Sequence, residues 1–565
     1  MASMFDFEPV PYRIRIGVTG HRKLDDPAAV ETMVKKAIDA EVKNLFSEAS
    51  RRDIQRVERA GTTSVLYSVL SPLAEGADRV VARAVLDYPG GRLDVVLPLT
   101  VEDYLEDFET EESKKAFREL LARCRRPVRL RTRRIAEDRH DPGDRAELRR
   151  EAYFQVGRYV VDHCDVLIAV WDGQPARGRG GTAQVVEYAK EQNRPIIRVC
   201  GSGFEVLNRD NNNGLDASAL EGIHGFNRHA ITFGDREAYR KNLDRDHFEN
   251  PATARGIAPG VRELVNTHLF PYYVQASLRA KESQSRFYRA GKFIYWLSAA
   301  AVGCAALAAL VRNETWARAG FTAELVLLIA ITFTLWNARR KHSHQGWIEN
   351  RFLAERIRSG VFMAICGVEP RPIDVLPYMG HSQTVNDWPV RVFDEIWDRL
   401  PPLAGCSQEQ CAILNPYVRE VWIGEQANFH AGKKEREGRA RRRLAKAGDI
   451  VLPTTIGAAM LHLLLPAELL PAETMLWLRG GLTFIALLFP AIAASLAGME
   501  AHREHLRLEK RSANMQPQLE QVKKQMASAG DVARFQSLLQ QVDEIMLRET
   551  QDWLMLMRFV EIKAG

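Results

Sequence analysis

The 565-residue chain is poor in cysteine, with seven spread over positions 124, 164, 200, 304, 366, 406 and 411. Only Cys406 and Cys411 lie close together, and no second pair follows at zinc-ligand spacing. That argues against both a zinc site and a disulfide framework. Charge of one sign is also lacking: 78 Lys and Arg against 72 Asp and Glu leave a net of +6. So mild an excess does not point to nucleic acid. The opening stretch, MASMFDFEPVPYR, has no basic-then-apolar leader, so the domain that follows is expected to stay on the cytoplasmic side. Roughly the first 240 residues contain no long apolar run. No metal and no cofactor is expected. The pair His224 and His229 fits no ligand spacing and reads as surface loop.

The C-terminal half has what the first half lacks. Four apolar segments form two close pairs, 293–311 with 321–338 and 450–470 with 480–499. Each is long enough, or nearly so, to cross about 30 Å of hydrocarbon at about 1.5 Å per residue. Basic residues flank every expected inner end: Arg286, Arg289 and Lys292; Arg339, Arg340 and Lys341; Arg439, Arg441, Arg442, Arg443 and Lys446; Arg503 and Arg507. The tip at 466–474 has no Lys or Arg, and the other tip carries only Arg312 and Arg318. The positive-inside rule then puts both tips outside and both termini in the cytosol. Tyr295, Trp296, Trp316, Trp336 and Trp477 stand near span ends, where such rings anchor. The basic run at 433–446, directly before a span, reads as an anionic-lipid contact rather than a nucleic-acid site.

Before the spans, strand-like runs alternate with helical ones. The runs 13–18, 64–72, 93–99, 165–172 and 195–200 read as strands. Helices are expected from near Pro27, around 76–86, from Val101 to Cys124, from Asp144 to Val161 and over 181–192. This order predicts an α/β fold, a Rossmann-like doubly wound parallel sheet, followed by an α-helical membrane domain of four spans with long cytosolic helices. Residues 201–260 read as a polar loop or insertion, and a helix from about Val261 runs into the first span as a rigid lever. A short repeat, Gln284, Phe287 and Tyr288 against Gln426, Phe429 and His430, precedes each hairpin. The expected domains are 10–255 for the sensor, 260–365 for one two-span unit, 366–420 for a cytosolic connector, and 421–565 for the second two-span unit with a helical tail.

Three glycine-bearing turns follow strands. In GVTGHR at 17–22, Gly17, Thr19, Gly20 and His21 shape a turn whose backbone N–H groups face one point, and Arg22 offers a bidentate donor to phosphate. A tight strand-to-helix turn also needs glycine for geometry alone. In SPLAEGADR at 71–79, Glu75 and Asp78 can accept from ribose hydroxyls, Gly76 permits close approach, and Arg79 completes the turn. At 171–187, Asp172 and Gly173 end a strand, while Gly180, Gly181 and Thr182 open a helix suited to an anion, with Arg177 and Arg179 adding charge. Open α/β sheets bind ligands where such loops meet.

These turns, together with the DVLIAVWDG run and its following GGTA, resemble the SLOG domain over about 13–200. That superfamily includes the cytokinin-activating phosphoribohydrolases and the ligand-sensing domains of Thoeris effectors and melastatin-type TRP channels. The hydrophobic half, with its Q-x-x-F-aromatic elements and the helix RFLAERIR at 351–358, is similar to SLATT domains, paired-span effector modules of bacterial conflict systems. The joint resemblance implies a receptor for a nucleotide second messenger, an ADP-ribose-like or cyclic nucleotide signal. It would permeabilise the inner membrane in antiphage defence. One departure matters. The hydrolase branch places Glu three residues after the motif Thr; here Thr182 is followed at that spacing by Val185, and Glu187 is about 200° around the helix. Binding without catalysis is therefore expected. A membrane-tethered nucleotide or nucleoside hydrolase is the alternative, and a transporter the third reading. A pore would need a homo-oligomer, lined by span residues such as Glu324, Thr332, His462 and Ser495.

Overall fold

The computed structural model describes residues 8–124, 126–130, 142–175, 181–201, 203–208, 215–228, 232–249, 257–340, 343–370, 388–466 and 470–558. Gly180, Arg177, Arg179, Lys341, His229 and part of the tip at 466–474 therefore lie outside the described residues. The chain divides into two compact units. One is Met1–Ala230 with Arg371–Leu403, the other Ile231–Pro370 with Ala404–Gly565.

The first unit is built on a seven-stranded sheet in the order β4-β3-β2-β1-β5-β6-β7. Its strands are β1 (Tyr12–Gly20), β2 (Val65–Ser71), β3 (Arg92–Leu97), β4 (Val128–Arg129), β5 (Val166–Val170), β6 (Ile196–Cys200) and β7 (Gly203–Leu207). All neighbours pair in parallel except β6 with β7. In the central strand Tyr12, Ile14, Ile16 and Val18 are buried, as a strand covered by helices requires. Helices Pro27–Glu41 and Ala77–Leu86 pack together, and so do Pro142–His163 and Thr182–Glu191. Asp26 caps the first of these by accepting from the N–H groups of Ala28 and Ala29, with Pro27 at the start.

Several elements differ from the sequence-based expectation. The acidic helix over Val101 to Cys124 is two helices, Val101–Leu105 and Glu111–Leu121, because Thr100 and Thr110 each cap a separate start. The polar stretch 201–260 holds β7 and the helices Ser218–Arg228 and Phe233–Phe248. Its polarity misled because Phe226 and Leu220 bury a narrow apolar face while Asn227 is satisfied by the backbone of Val10 and by Thr63. His224 is buried on that helix beside Thr63 rather than in a surface loop. Residues Arg371–Leu403, assigned by sequence to a connector, belong with the first unit, and helix Trp388–Asp398 packs into it.

The second unit is helical. Four of its helices are long and apolar enough to cross a membrane. Phe270–Leu310, at 41 residues, packs along Glu314–Arg340, Ser343–Ile365 and Ala472–Arg503, and Glu425–Leu464 packs along Ala472–Arg503 and His505–Ala527. Close approach of the first and fourth spans depends on glycine. A Cβ at Gly498 would stand 2.4 Å from the Tyr295 ring, and one at Gly291 2.4 Å from His502. Large apolar side chains such as Phe293, Leu325, Ile329, Phe333, Ile450 and Leu463 remain exposed along the apolar segments. Water tolerates such a surface poorly. Outside the apolar segments, Arg356 and Asp543 form an ion pair at 2.9 Å with both side chains 2% exposed. Cys406 and Cys411 are the positions that flank the capping box of helix Gln408–Tyr417, where an apolar staple normally sits. Among the described residues no group of His, Cys, Asp and Glu is arranged to hold a metal.

Candidate functional site

From β1 the chain builds outward through β2, β3 and β4, then returns to β5 on the other side. The carboxyl ends of β1 and β5 therefore flank the point where strand order reverses, with Gly20 beside Val170. Diverging loops leave a crevice at such a point. Here it is a cleft of about 1220 Å³ lined by Thr19, Gly20, His21 and Arg22 from the β1 turn, Asp172 from the β5 end, and Gly181 and Thr182 from the next helix. Pockets of roughly 300–1,000 Å³ already enclose a drug-sized ligand, so the cleft has room for a nucleotide.

Helix Thr182–Glu191 starts at Gly181 with no side chain capping its N–H groups, leaving a partial positive charge at the cleft wall. The Nε2 atom of His21 lies 3.1 Å from Asp172 Oδ1 and 3.2 Å from the Asp172 backbone N. A protonated ring donates to the carboxylate; a neutral one accepts from the N–H. The Gln174 N–H, at 3.0 Å, and then His21 hold the Asp172 carboxyl below its ordinary range. Arg22 lies 5.7 Å from the Tyr153 ring centre, over its face, and no carboxylate among the described residues pairs with it. Asp78 accepts from the Ala74 N–H at 3.1 Å, and burial pushes its carboxyl up to about 7 against the pull of that bond and of Arg22 and Arg79. Tyr104 lines the same cleft, and its hydroxyl is buried without a hydrogen-bond partner among the described residues.

Thus Thr19, Gly20, His21, Arg22, Asp78, Asp172, Gly181 and Thr182 share one cleft. Gly17, Glu75, Gly76, Arg79 and Gly173 do not line it. Gly17 lies inside β1, where a Cβ would meet Cys164 Sγ at 2.8 Å, so it serves packing. Gly76, at φ +75°, lets the 71–79 turn close onto the carbonyls of His21 and Arg22, each 2.4 Å from where its Cβ would be. Arg79 holds that turn, donating to the Leu73 carbonyl at 3.1 Å and to Ser113 at 2.9 Å. The Glu75 carboxylate accepts from the Ser113 hydroxyl. Gly173, at φ +90°, makes the turn after Asp172. Val185 is buried, and Glu187 faces solvent beside Lys190 at 3.3 Å. Tyr104 and Tyr153 were missed by sequence because they stand on helices outside any glycine turn; their only signal was an aromatic ring on the buried face of a polar helix.

Within the second unit, Ser495 donates to the Tyr295 carbonyl at 2.9 Å and so joins the fourth span to the first. Thr332 donates to its own helix at Leu328, at 2.9 Å. His462 Nδ1 lies 3.3 Å from the Thr483 hydroxyl of the neighbouring span. Glu324 is half-buried. No family model, no curated protein and no solved structure matches the chain.

Proposed function

We propose that the first unit binds a phosphate-bearing nucleotide signal and that the four apolar helices cross the inner membrane, so that the chain is a nucleotide-gated membrane effector. The observation that supports this reading best is the convergence of the Gly20–Arg22 turn, Asp172 and the Gly181–Thr182 helix start on one cleft at the strand-order reversal. The helix N-terminus and Arg22 take the phosphate, and Asp78 and Tyr104 take a hydroxyl or ring edge in the same cleft. The resemblance to SLOG and SLATT domains adds an ADP-ribose-like or cyclic nucleotide as ligand and antiphage defence as setting. Both termini lie in the cytosol on this reading. Four helices of one chain can pack without leaving a water path, so the conducting form is a symmetric homo-oligomer. The ligand opens it by binding the open state more tightly than the closed one.

Liposomes holding the full chain test this. ADP-ribose or a cyclic dinucleotide should release a trapped dye, and Arg22→Ala should cost on the order of 1.5–3 kcal/mol in binding if Arg22 makes a charged hydrogen bond. Vesicles that stay sealed with nucleotide bound would overturn the effector reading. A second reading, a membrane-tethered nucleotide hydrolase, is favoured by one feature: a cleft carboxyl that titrates near 7 can give and take a proton. Turnover of the same nucleotides, followed by chromatography, would put it first.

A further inference from the structure

We propose that the inner end of the first hairpin holds an anionic phospholipid headgroup. The proposal rests on the reading that the apolar segments cross a membrane. A cavity of about 550 Å³ lies between helices Phe270–Leu310 and Glu314–Arg340. Residues Arg286, Arg289, Phe293 and Trp296, spaced by three and four, form one stripe along the first helix, and Lys292 lies beside it. The stripe changes character along its length, from cations to exposed aromatics, with Phe293 52% and Trp296 48% exposed. The change comes at 293, where the apolar segment begins. Lys292 to Trp296 spans about 6 Å of helix axis, about the depth separating a phosphate from the first methylenes of an acyl chain. Asn337 and Ala338 form the facing wall, beside Trp336 at the end of the second span.

Charge complementarity selects the occupant. Among the described residues three cations line the cavity and no carboxylate does. Arg286 is compensated by Glu282 one turn back. Arg289 donates from Nε to the Ser285 carbonyl at 3.2 Å, and among the described residues neither it nor Lys292 has an ion-pair partner. Two uncompensated cations above an apolar aromatic wall fit a lipid phosphate with its chains running down the spans. A zwitterionic headgroup would bring its own ammonium into a cavity whose described lining has no acid to meet it.

The full chain in mild detergent, offered phosphatidylglycerol and phosphatidylcholine in equal amounts, should retain phosphatidylglycerol selectively in native mass spectrometry. Each basic residue near a lipid surface is worth about five-fold. Arg289→Gln with Lys292→Gln should therefore cut the preference about 25-fold, and Asn337→Asp, which sets a carboxylate on the facing wall, about five-fold. Arg312→Gln with Arg318→Gln removes the same charge from the opposite tip of the same hairpin and should leave the preference intact. Equal losses in the two double variants, no preference in the unaltered chain, or displacement of the lipid by inorganic phosphate would each overturn the proposal. Flotation with pure phosphatidylcholine vesicles separates the two levels: a chain that fails to float sinks the membrane reading itself, whereas one that floats without selectivity sinks only the lipid site.

Discussion

At the amino edge of the sheet, Arg13 and Arg92 meet Glu395 at 2.8 and 2.7 Å, Arg92 and Arg126 meet Asp398 at 3.0 and 2.9 Å, and Arg391 meets Asp165 at 2.8 Å. At the carboxyl edge, His21 and Asp172 are each more than 40% exposed, and among the described residues the buried Asp78 has no cation at ion-pair distance and the Tyr104 hydroxyl no partner. Arg15 and Gly20 mark the two levels on β1, about 16 Å apart at about 3.3 Å per residue. One edge has its charged groups paired by a helix that arrives from nearly 400 residues along the chain; at the other, among the described residues, Arg22 lacks a carboxylate and the Tyr104 hydroxyl lacks a hydrogen-bond partner, beside open space. Buried ion clusters give register more dependably than stability. The amino edge therefore reads as the anchored side, and the carboxyl edge as the side where the proposed function would place a ligand. The anchoring helix also has a place in the connectivity: its segment, Arg371–Leu403, lies in sequence between the two hairpins. A change at the sheet thus has a covalent route toward each.

The comparison can be broken most severely at Glu395, which is 5% exposed. Burial alone would raise its carboxyl, but Arg92 and Arg13 outweigh that and hold it below the usual range. Glu395→Ala should leave Arg13 without its carboxylate and Arg92 with Asp94 and Asp398 alone, at a cost of up to about 3–5 kcal/mol. Hydrogen exchange of β1 and β3 amides in the full chain is the measurement. A loss under about 1 kcal/mol, the value of a surface pair, would mean that the amino edge is not an anchor. The same test bears on domain boundaries. A fragment ending near residue 260 lacks helix Trp388–Asp398 and should show the same weakened exchange protection.

The two edges should also respond to pH with opposite sign. Burial would raise the Asp165 carboxyl, yet Arg391 and Arg15 together hold it well below the carboxylate range. Its contribution is complete above the unfolded pKa of about 3.9 and is lost as pH falls toward the folded value. Asp78 is the reverse. Its folded pKa is raised to about 7, so the folded state keeps a proton that the unfolded chain releases, and stability falls as pH rises from about 4 to about 7. Asp78→Asn, which retains an acceptor for the Ala74 N–H, should stabilise the first unit by up to about 4 kcal/mol near pH 8 and by little near pH 4. Urea-dependent hydrogen exchange at both pH values decides it. A gain that does not depend on pH would show that the Asp78 carboxyl is ordinary and that the contrast between the edges is one of packing only.

How much of this was legible in the sequence follows from how local each signal is. β1, β2, β3, β5 and β6 announce themselves as apolar runs, and the turns ending in Arg22 and opening at Thr182 carry glycine at the strand ends. β4, of two residues, and β7, an antiparallel edge, have too little pattern to be seen. The sequence of helix Trp388–Asp398, WPVRVFDEIWD, is amphipathic, but amphipathicity says only that one face is covered. Its partners Arg13, Arg92 and Arg126 lie hundreds of positions away, and nothing near Glu395 or Asp398 names them. In the cleft, glycine overstated its case. Gly17 and Gly76 are explained by Cys164 and by the carbonyls of His21 and Arg22, whereas Tyr104 and Tyr153 reach the cleft without any motif.

The smallest expected effect sharpens the comparison most, because it separates an idle group from a waiting one. The Tyr104 ring is fully buried, within 5.1 Å of Phe108 and 5.6 Å of Phe117, so Phe can replace it without loss of shape. A buried hydroxyl that makes no bond carries a desolvation cost and returns nothing; removing it should leave stability unchanged or raise it by about 1 kcal/mol. If the cleft's ligand supplies the missing acceptor or donor, the same change should weaken nucleotide binding by about 1 kcal/mol, roughly five-fold in Kd. Calorimetry with whichever nucleotide the purified chain retains, beside hydrogen exchange in its absence, reads both numbers on one variant. A Tyr104→Phe chain that loses stability and binds as before would mean that the hydroxyl has a partner in the free protein. The carboxyl edge would then be as closed as the amino edge, and its open space would be no sign of a ligand.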